Sequence, residues 1–512
     1  MWVRSESHIG RRRRASLSAV RRSLFITSWS QLKKRFMKRR FPIYAILALI
    51  ATALVSSCND DSDDMSTLIP DSSADAVMVN TFSLEANDSV LANLDSVFFS
   101  IDLDRAVIFN ADSLPVGTKV DRLVTEMTFS GVRKAEITMP SSTGADTVVD
   151  YLKNPNDSID FSRGSVKLHL ESASGTVTRD YTIYVNVHKV NPDRMEWSKM
   201  NWTLPTNLAS VKEQRTLDFG DGTMFCFTTD GTSVCRASSQ APLDSWTFTD
   251  VTFPADARLS TLVAADGKMF VVDSNNTLFE STDCGLSWSQ TSARMSYIYG
   301  VVGGKAIGVI DDGGYKTVTY PASTANPIVD GMPVAGTSAA VVYTTEWSDA
   351  PMLIVAGGVD ADGNAVNGVW ACDGGVWAKL SSSLPALEAP MVVPYYAFRT
   401  STVWKVTRRS VLLCFGGLLN GSTPNRNVYI SYDMGVNWTL APSDMALPAT
   451  YTPGSYAQAI VVNQTLGSRA VKPITEWDCP YIYAFGGEGI NMTTSTDVWR
   501  AVINRLEFKP LQ

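Results

Sequence analysis

The sequence predicts an all-β chain in two parts, a small β-sandwich followed by a β-propeller, and three observations carry that expectation. The first is a repeated octapeptide, Ser281-Thr282-Asp283-Cys284-Gly285-Leu286-Ser287-Trp288 and Ser431-Tyr432-Asp433-Met434-Gly435-Val436-Asn437-Trp438, both S-x-D-x-G-x-x-W. The second is a set of apolar runs ending in a glycine pair, Leu353 to Gly358, Leu412 to Gly417 and Tyr481 to Gly487. The third is period-two alternation of apolar residues before position 190, the mark of half-buried strands.

An Asp, a Gly and a Trp at this spacing suit a tight turn between two outer strands of a small sheet. The carboxylate accepts turn amides, glycine permits positive φ, and the indole covers the hairpin. Asp283, Gly285 and Trp288, with Asp433, Gly435 and Trp438, are therefore expected to be structural. Repetition of such hairpins implies an array of sheets, hence a propeller. The octapeptides resemble the Asp-boxes of sialidase-type propellers, and the glycine-pair runs resemble kelch blades.

About ten residues beyond each glycine pair comes an aromatic strand, Val369-Trp370, Val428-Tyr429 and Val498-Trp499. Each block thus holds an inner strand, a strand ending in Gly-Gly, a loop and an outer hairpin. Thr223 to Trp246, Leu262 to Trp288 and, more weakly, Tyr297 to Tyr320 follow the same order. The expectation is a six-bladed kelch-like propeller over residues 194–512. A lone blade cannot cover its apolar faces, so the ring must close; Trp197 and Trp202 are placed to supply the closing outer strand.

Residues 75–190 carry no repeat. Val97, Phe99, Ile101 and Leu103, then Val166, Leu168 and Leu170, then Tyr181, Ile183, Val185 and Val187 alternate between turn-rich segments. This predicts a sandwich of Ig-like size without the Cys-Trp-Cys core of a true immunoglobulin domain. Val190-Asn191-Pro192-Asp193 reads as the boundary.

The N-terminus sets the compartment. Residues 1–57 read as a basic extension and signal peptide, with Met37 expected as the true start: Lys38, Arg39 and Arg40 precede an apolar run from Phe41 to Val55. Val55-Ser56-Ser57-Cys58 resembles a bacterial lipobox, which makes Cys58 the lipidated first residue. Residues 58–74 form an acidic tether beginning Asn59-Asp60-Asp61-Ser62-Asp63-Asp64, as in export to the outer surface. Beyond Ser57 the chain holds 31 basic against 50 acidic residues, a formal net charge of −19. Such a chain repels nucleic acid, and its membrane partner is reached through the lipid.

With Leu94 to Leu103 and Ile108 to Pro115, these features resemble a family of uncharacterised surface lipoproteins of gut-type Gram-negative bacteria. The resemblance implies a fold and an outer-membrane location, and no activity.

The chain has three histidines, His8 in the removed segment and His169 and His188 expected at exposed sandwich positions. A propeller without imidazole argues against a copper oxidase and against Ser-His-Asp or Cys-His hydrolysis. No cysteine pair has C-x-x-C metal spacing, so no metal or cofactor is expected. Cys226 and Cys235 flank Asp230-Gly231, a two-residue hairpin signal; counting outward places them opposite each other, close enough for a disulfide, with two buried thiols as the equal alternative. No Arg-Ile-Pro sialidase signature occurs.

The polar loops after the glycine pairs, with Asp360, Asp362 and Asn364, Arg426, and Glu488 and Asn491, are the candidate ligand residues. Carboxylates, amides and one guanidinium suit sugar hydroxyls or a protein loop. The expected function is a cell-surface lipoprotein acting as a non-catalytic binding module for glycan or protein. The alternatives are a carbohydrate-acting propeller enzyme (glycosidase, lyase or epimerase) using Asp, Glu, Arg and Tyr at the mouth, and a scaffold subunit of an outer-membrane complex.

Overall fold

The computed structural model describes residues 76–142, 144–322, 324–345, 348–400, 406–466, 472–473, 477–489 and 493–506. The expected signal peptide, Cys58, the tether and Asn491 lie outside them.

The N-terminal domain is built on a six-stranded sheet ordered Ser100–Asp102, Val107–Phe109, Thr178–Tyr184, Val166–Ser172, Val132–Met139 and Thr147–Asp150. Val107–Phe109 runs parallel to Thr178–Tyr184 and the other pairs are antiparallel. A separate antiparallel pair, Met78–Leu84 with Thr125–Ser130, packs over the same core. The alternation read in Val166, Leu168, Leu170, Tyr181 and Ile183 has one consequence: all five are fully buried. Tyr151 ties the layers, its hydroxyl donating to the Thr125 carbonyl and accepting from the Met127 amide, each at 2.9 Å. His169 meets Asp180 at 2.7 Å. His188 is not on a strand; it follows the last one and is half-buried.

Among the described residues, the second part forms six four-stranded antiparallel sheets, here I to VI in chain order. Sheet I is Glu213–Asp218, Thr223–Thr229, Val234–Gln240 and Thr247–Thr249, and sheet II is Ala257–Ala265, Lys268–Asp273, Thr277–Ser281 and Ser289–Arg294. Sheet III is Tyr297–Val302, Lys305–Asp311, Tyr315–Tyr320 and Thr324–Pro327. Sheet IV is Val341–Thr345, Ser348–Ala356, Val369–Asp373 and Val376–Ser381, and sheet V is Met391–Thr400, Val406–Phe415, Val428–Ser431 and Thr439–Leu440. Sheet VI takes Gln458–Leu466, Trp477–Phe485 and Asp497–Ile503 from the C-terminal end and Met195–Thr203 from the other.

The first strand of each sheet touches the next sheet, and the first strand of VI touches that of I, so the series closes on itself. Closure is covalently staggered: Met195–Thr203, which carries Trp197 and Trp202, pairs with Asp497–Ile503 as the outer strand of sheet VI. Second strands are flanked on both faces, which is why their sequences are continuous apolar runs rather than alternating ones. Phe225, Phe270, Leu353, Leu413 and Tyr483 are at most 3% exposed.

Both octapeptides form the same hairpin between third and fourth strands, in sheets II and V. Asp283 Oδ1 accepts the Ser281 hydroxyl at 2.7 Å and the Ser287 amide at 3.0 Å; Asp433 Oδ1 accepts Ser431 and the Asn437 amide at 2.8 Å each. Trp288 and Trp438 donate to the carbonyls of Gly285 and Gly435 at 3.2 and 3.1 Å. Gly285 and Gly435 have φ of 79° and 96°. Each hairpin also fastens its sheet to the preceding one: Arg236 of sheet I donates to the Cys284 carbonyl at 2.8 Å, and Ser383, just past sheet IV, accepts the Trp438 amide at 3.0 Å.

Of the two alternatives for Cys226 and Cys235, the register disfavours the bridge. Thr229 pairs with Val234, so four residues make the turn and Cys226 faces Ala237 while Cys235 faces Thr228. Asp230 accepts both the Thr232 and Ser233 amides at 2.8 Å, which extends the turn beyond Asp230-Gly231. The two thiols become diagonal neighbours, a geometry whose Cα separation of about 7–8 Å is too long for a disulfide. Both are buried and free.

The N-terminal domain is fixed to the ring. Arg505 pairs with Asp112 at 3.0 Å and its amide donates to the Pro192 carbonyl at 2.8 Å. Asn191 donates to Asp444 at 2.6 Å and Asn186 to the Lys472 carbonyl at 3.0 Å.

Candidate functional site

The glycine pairs organise one rim of the ring. Beyond each pair the chain turns back and bridges the connection that leads into its own sheet or the next: Val359 with Ala335, Leu418–Leu419 with Leu387–Glu388, and Glu488 with Ser455. Such close approach excludes side chains. A Cβ on Gly357 would stand 2.4 Å from the Leu387 carbonyl oxygen, and one on Gly417 2.5 Å from that of Glu388. Positive φ at Gly357, Gly358, Gly416, Gly417, Gly486 and Gly487 completes the requirement for glycine.

The inter-sheet connections bring polar side chains together at this rim. Tyr456, entering sheet VI, places its hydroxyl 3.5 Å from Glu388 Oε1, which enters sheet V. Gly336, entering sheet IV, lies beneath both, since a Cβ there would be 3.3 Å from the Tyr456 hydroxyl and 3.6 Å from Glu388 Cγ. Burial pushes the Glu388 carboxyl above the usual carboxylate range and the nearby Glu488 charge adds to it, while the Tyr456 hydrogen bond opposes. Burial, and then the Glu388 charge, pushes the Tyr456 phenol up as well. Tyr297, entering sheet III, lies 3.2 Å from the Thr337 hydroxyl.

Beside this pair is a cavity of roughly 240 Å³. Its walls include Lys212 and Gln214 of the entry to sheet I, Tyr456, Glu488 and Thr494. Gln214 is held rigidly, its amide donating to the carbonyls of Tyr456 and Phe485 at 3.3 and 3.2 Å. The Gln214 amide, the hydroxyls of Ser260, Tyr456 and Thr494 and the carboxylates of Glu213 and Glu488 thus belong to residues lining one small space. Among the described residues no group of three or more His, Cys, Asp or Glu is arranged to hold a metal ion.

Residues 191–511 match the family model described as the DUF6242 beta propeller domain, and residues 73–185 match the DUF6242 N-terminal domain, a domain of unknown function. The chain belongs to the DUF6242 family. The ring of sheets is therefore its β-propeller. No curated protein matches the chain. Solved structures similar to this DUF6242 member include YCF48 bound to D1 peptide (14% identity, 62% of this chain and 98% of that one, TM-score 0.30). The Trypanosoma rangeli sialidase in complex with the inhibitor DANA matches at 11% identity, 59% of each chain and TM-score 0.34. YCF48 from Cyanidioschyzon merolae matches at 12% identity, 59% and 98%, and TM-score 0.27.

Of the ligand candidates chosen from the sequence, the DUF6242 propeller places Glu488 in the mouth cavity. Asp360 is committed to its own loop, accepting the amides of Asp362 and Asn364 at 3.0 and 2.8 Å; the latter two are exposed. Arg426 is exposed and ties its loop to the next connection through the Pro448 carbonyl at 2.9 Å and the Thr452 hydroxyl at 3.3 Å. Sequence reasoning missed Glu388, Tyr456, Gln214 and Lys212. They share no motif, and their one signal is position, at or a few residues before the start of the first strand of a block.

Proposed function

We propose that this protein is a lipoprotein of the bacterial envelope, anchored through Cys58 and displayed at the outer membrane, whose propeller binds a glycan at the glycine-pair mouth. The finer architecture belongs to the same proposal: each four-stranded sheet is one kelch-like blade of a six-bladed ring, the two octapeptides are Asp-boxes, and the N-terminal domain is Ig-like. The observation that carries the function is the mouth cavity itself. Lys212, Gln214, Tyr456, Glu488 and Thr494 supply donors, acceptors and an aromatic edge in a space the size of a sugar ring or two. Rigid backbone bridges hold those groups in place, so little ordering is required on binding. The acidic chain argues against nucleic acid as the ligand.

A second reading, catalysis on carbohydrate, draws support from Glu388. A carboxyl raised by burial and neighboured by a tyrosine is suited to donate a proton. A glycan-array screen of the protein, followed by a turnover assay on each hit, tests both. Saturable binding without product is the expected result; product would replace the binding reading with the enzyme, and an array without hits would overturn the glycan.

A further inference from the structure

Arg215 is the third residue of the first strand of sheet I, and it is only 7% exposed. Its Nε donates to the Leu262 carbonyl of sheet II at 2.8 Å. None of the ion pairs among the described residues includes it. Burial lowers its proton affinity, and the Tyr297 phenol is the acidic group that opposes this. A desolvated guanidinium without a carboxylate is costly, and such charges are ordinarily paired.

The guanidinium borders a cavity of roughly 250 Å³ on the axis of the ring, walled by the first strands of all six sheets. That wall is largely apolar, with Val263, Val341, Val392 and Ile460. Its other charged group, Asp218, is exposed and accepts the Gly220 amide at 2.8 Å, so it does not neutralise Arg215. Gln214, the preceding residue, lines the mouth cavity. Consecutive residues of one strand thus line the two cavities, Gln214 the polar one and Arg215 the apolar one.

We infer that Arg215 anchors the carboxylate of a sugar acid whose ring hydroxyls engage Gln214, Tyr456 and Glu488 at the mouth. This rests on the glycan reading and narrows it to carboxylated pyranoses, for which a planar guanidinium offers paired donors. Glu488 at the mouth then accepts hydrogen bonds from ring hydroxyls, and the anionic end is drawn past it to the buried Arg215 guanidinium.

The test is calorimetric titration of the protein with galacturonate and glucuronate oligosaccharides and with the matching uronamides, which keep shape and remove charge. The acids are expected to bind about tenfold or more tighter than the amides, and Arg215→Gln to abolish that preference. Equal binding of acids and amides overturns the role of Arg215 and leaves the glycan reading intact. Binding of neutral glycans without binding of uronates overturns it in the same way. Absence of binding by acids, amides and neutral glycans alike overturns both. Should the variant fail to fold, the acid and amide comparison on the unaltered protein decides the matter alone.

Discussion

The phenol of Tyr456 stands 3.5 Å from the carboxylate of Glu388, joining the entries of two consecutive sheets across the propeller mouth. Each group is shifted upward by burial, so the mouth keeps a carboxyl that resists ionisation. The folded state favours the protonated form of Glu388. Its contribution to stability is thus complete below the ordinary carboxylate range and is lost as pH rises through the elevated folded value. Glu388→Gln is expected to raise the melting temperature at pH 7 relative to the parent protein, with the gain shrinking as pH is lowered to 4. Paired thermal scans at the two pH values check this.

Asp283 behaves in the opposite sense. The Ser287 hydroxyl and amide, with Ser281, hold its carboxyl down to about 2 against an ordinary value of 3.8. The stability it supplies is present above the ordinary value and is lost as pH falls through the window toward 2. In Asp283→Asn the melting temperature should fall less steeply than in the parent over that window, which acid titration followed by circular dichroism can read.

The twin hairpins differ in what surrounds their glycines. A Cβ on Gly285 would lie 2.7 Å from Phe227 Cζ, whereas one on Gly435 would lie 3.4 Å from Val369 Cγ1. Both residues have positive φ, which costs an alanine about 1–2 kcal/mol. Gly285→Ala adds an overpacking penalty of about 1–3 kcal/mol. Denaturant midpoints should therefore order the parent above Gly435→Ala, and Gly435→Ala above Gly285→Ala.

How much was legible in the sequence follows from the range of each interaction. Asp283 and Asp433 were readable because their partners lie within four residues, and the glycine pairs because backbone strain leaves a fixed letter. Closure by the Trp197 strand could be read because a blade lacking its outer strand leaves an apolar face bare. Glu388 and Tyr456 could not be read: they are 68 positions apart and meet only because the ring brings successive connections to one rim. Arg215 was equally silent, since its meaning lies in the absence of a carboxylate among its neighbours. The Cys226 register was misread because Asp230 caps two amides and lengthens the turn, a choice the Asp-Gly dipeptide does not reveal.

That register has its own test. Burial pushes the Cys226 thiol up to about 12 and the Cys372 thiol to about 11. Thiolate is the reactive form, so both should resist iodoacetamide in the native protein at pH 8. In denaturant without reductant, Cys226 and Cys235 should both alkylate; a pair that alkylates only after reduction would restore the disulfide.

The joint between domains hangs partly on Arg505 and Asp112, whose side chains are 15% and 38% exposed. Asp112→Ala is expected to cost about 1–2 kcal/mol, moderated by solvent on the aspartate side. Hydrogen exchange should quicken around residues 186–194 while the sheet interiors stay protected.

The central claim is that ligand recognition occurs at the glycine-pair mouth. Titration of the best array glycan into the parent protein, Glu488→Gln and Tyr456→Phe tests it most directly. A fall in affinity of about tenfold in each variant, with unfolding midpoints unchanged, is the predicted result. Undiminished binding by both variants would place the ligand elsewhere and contradict the account.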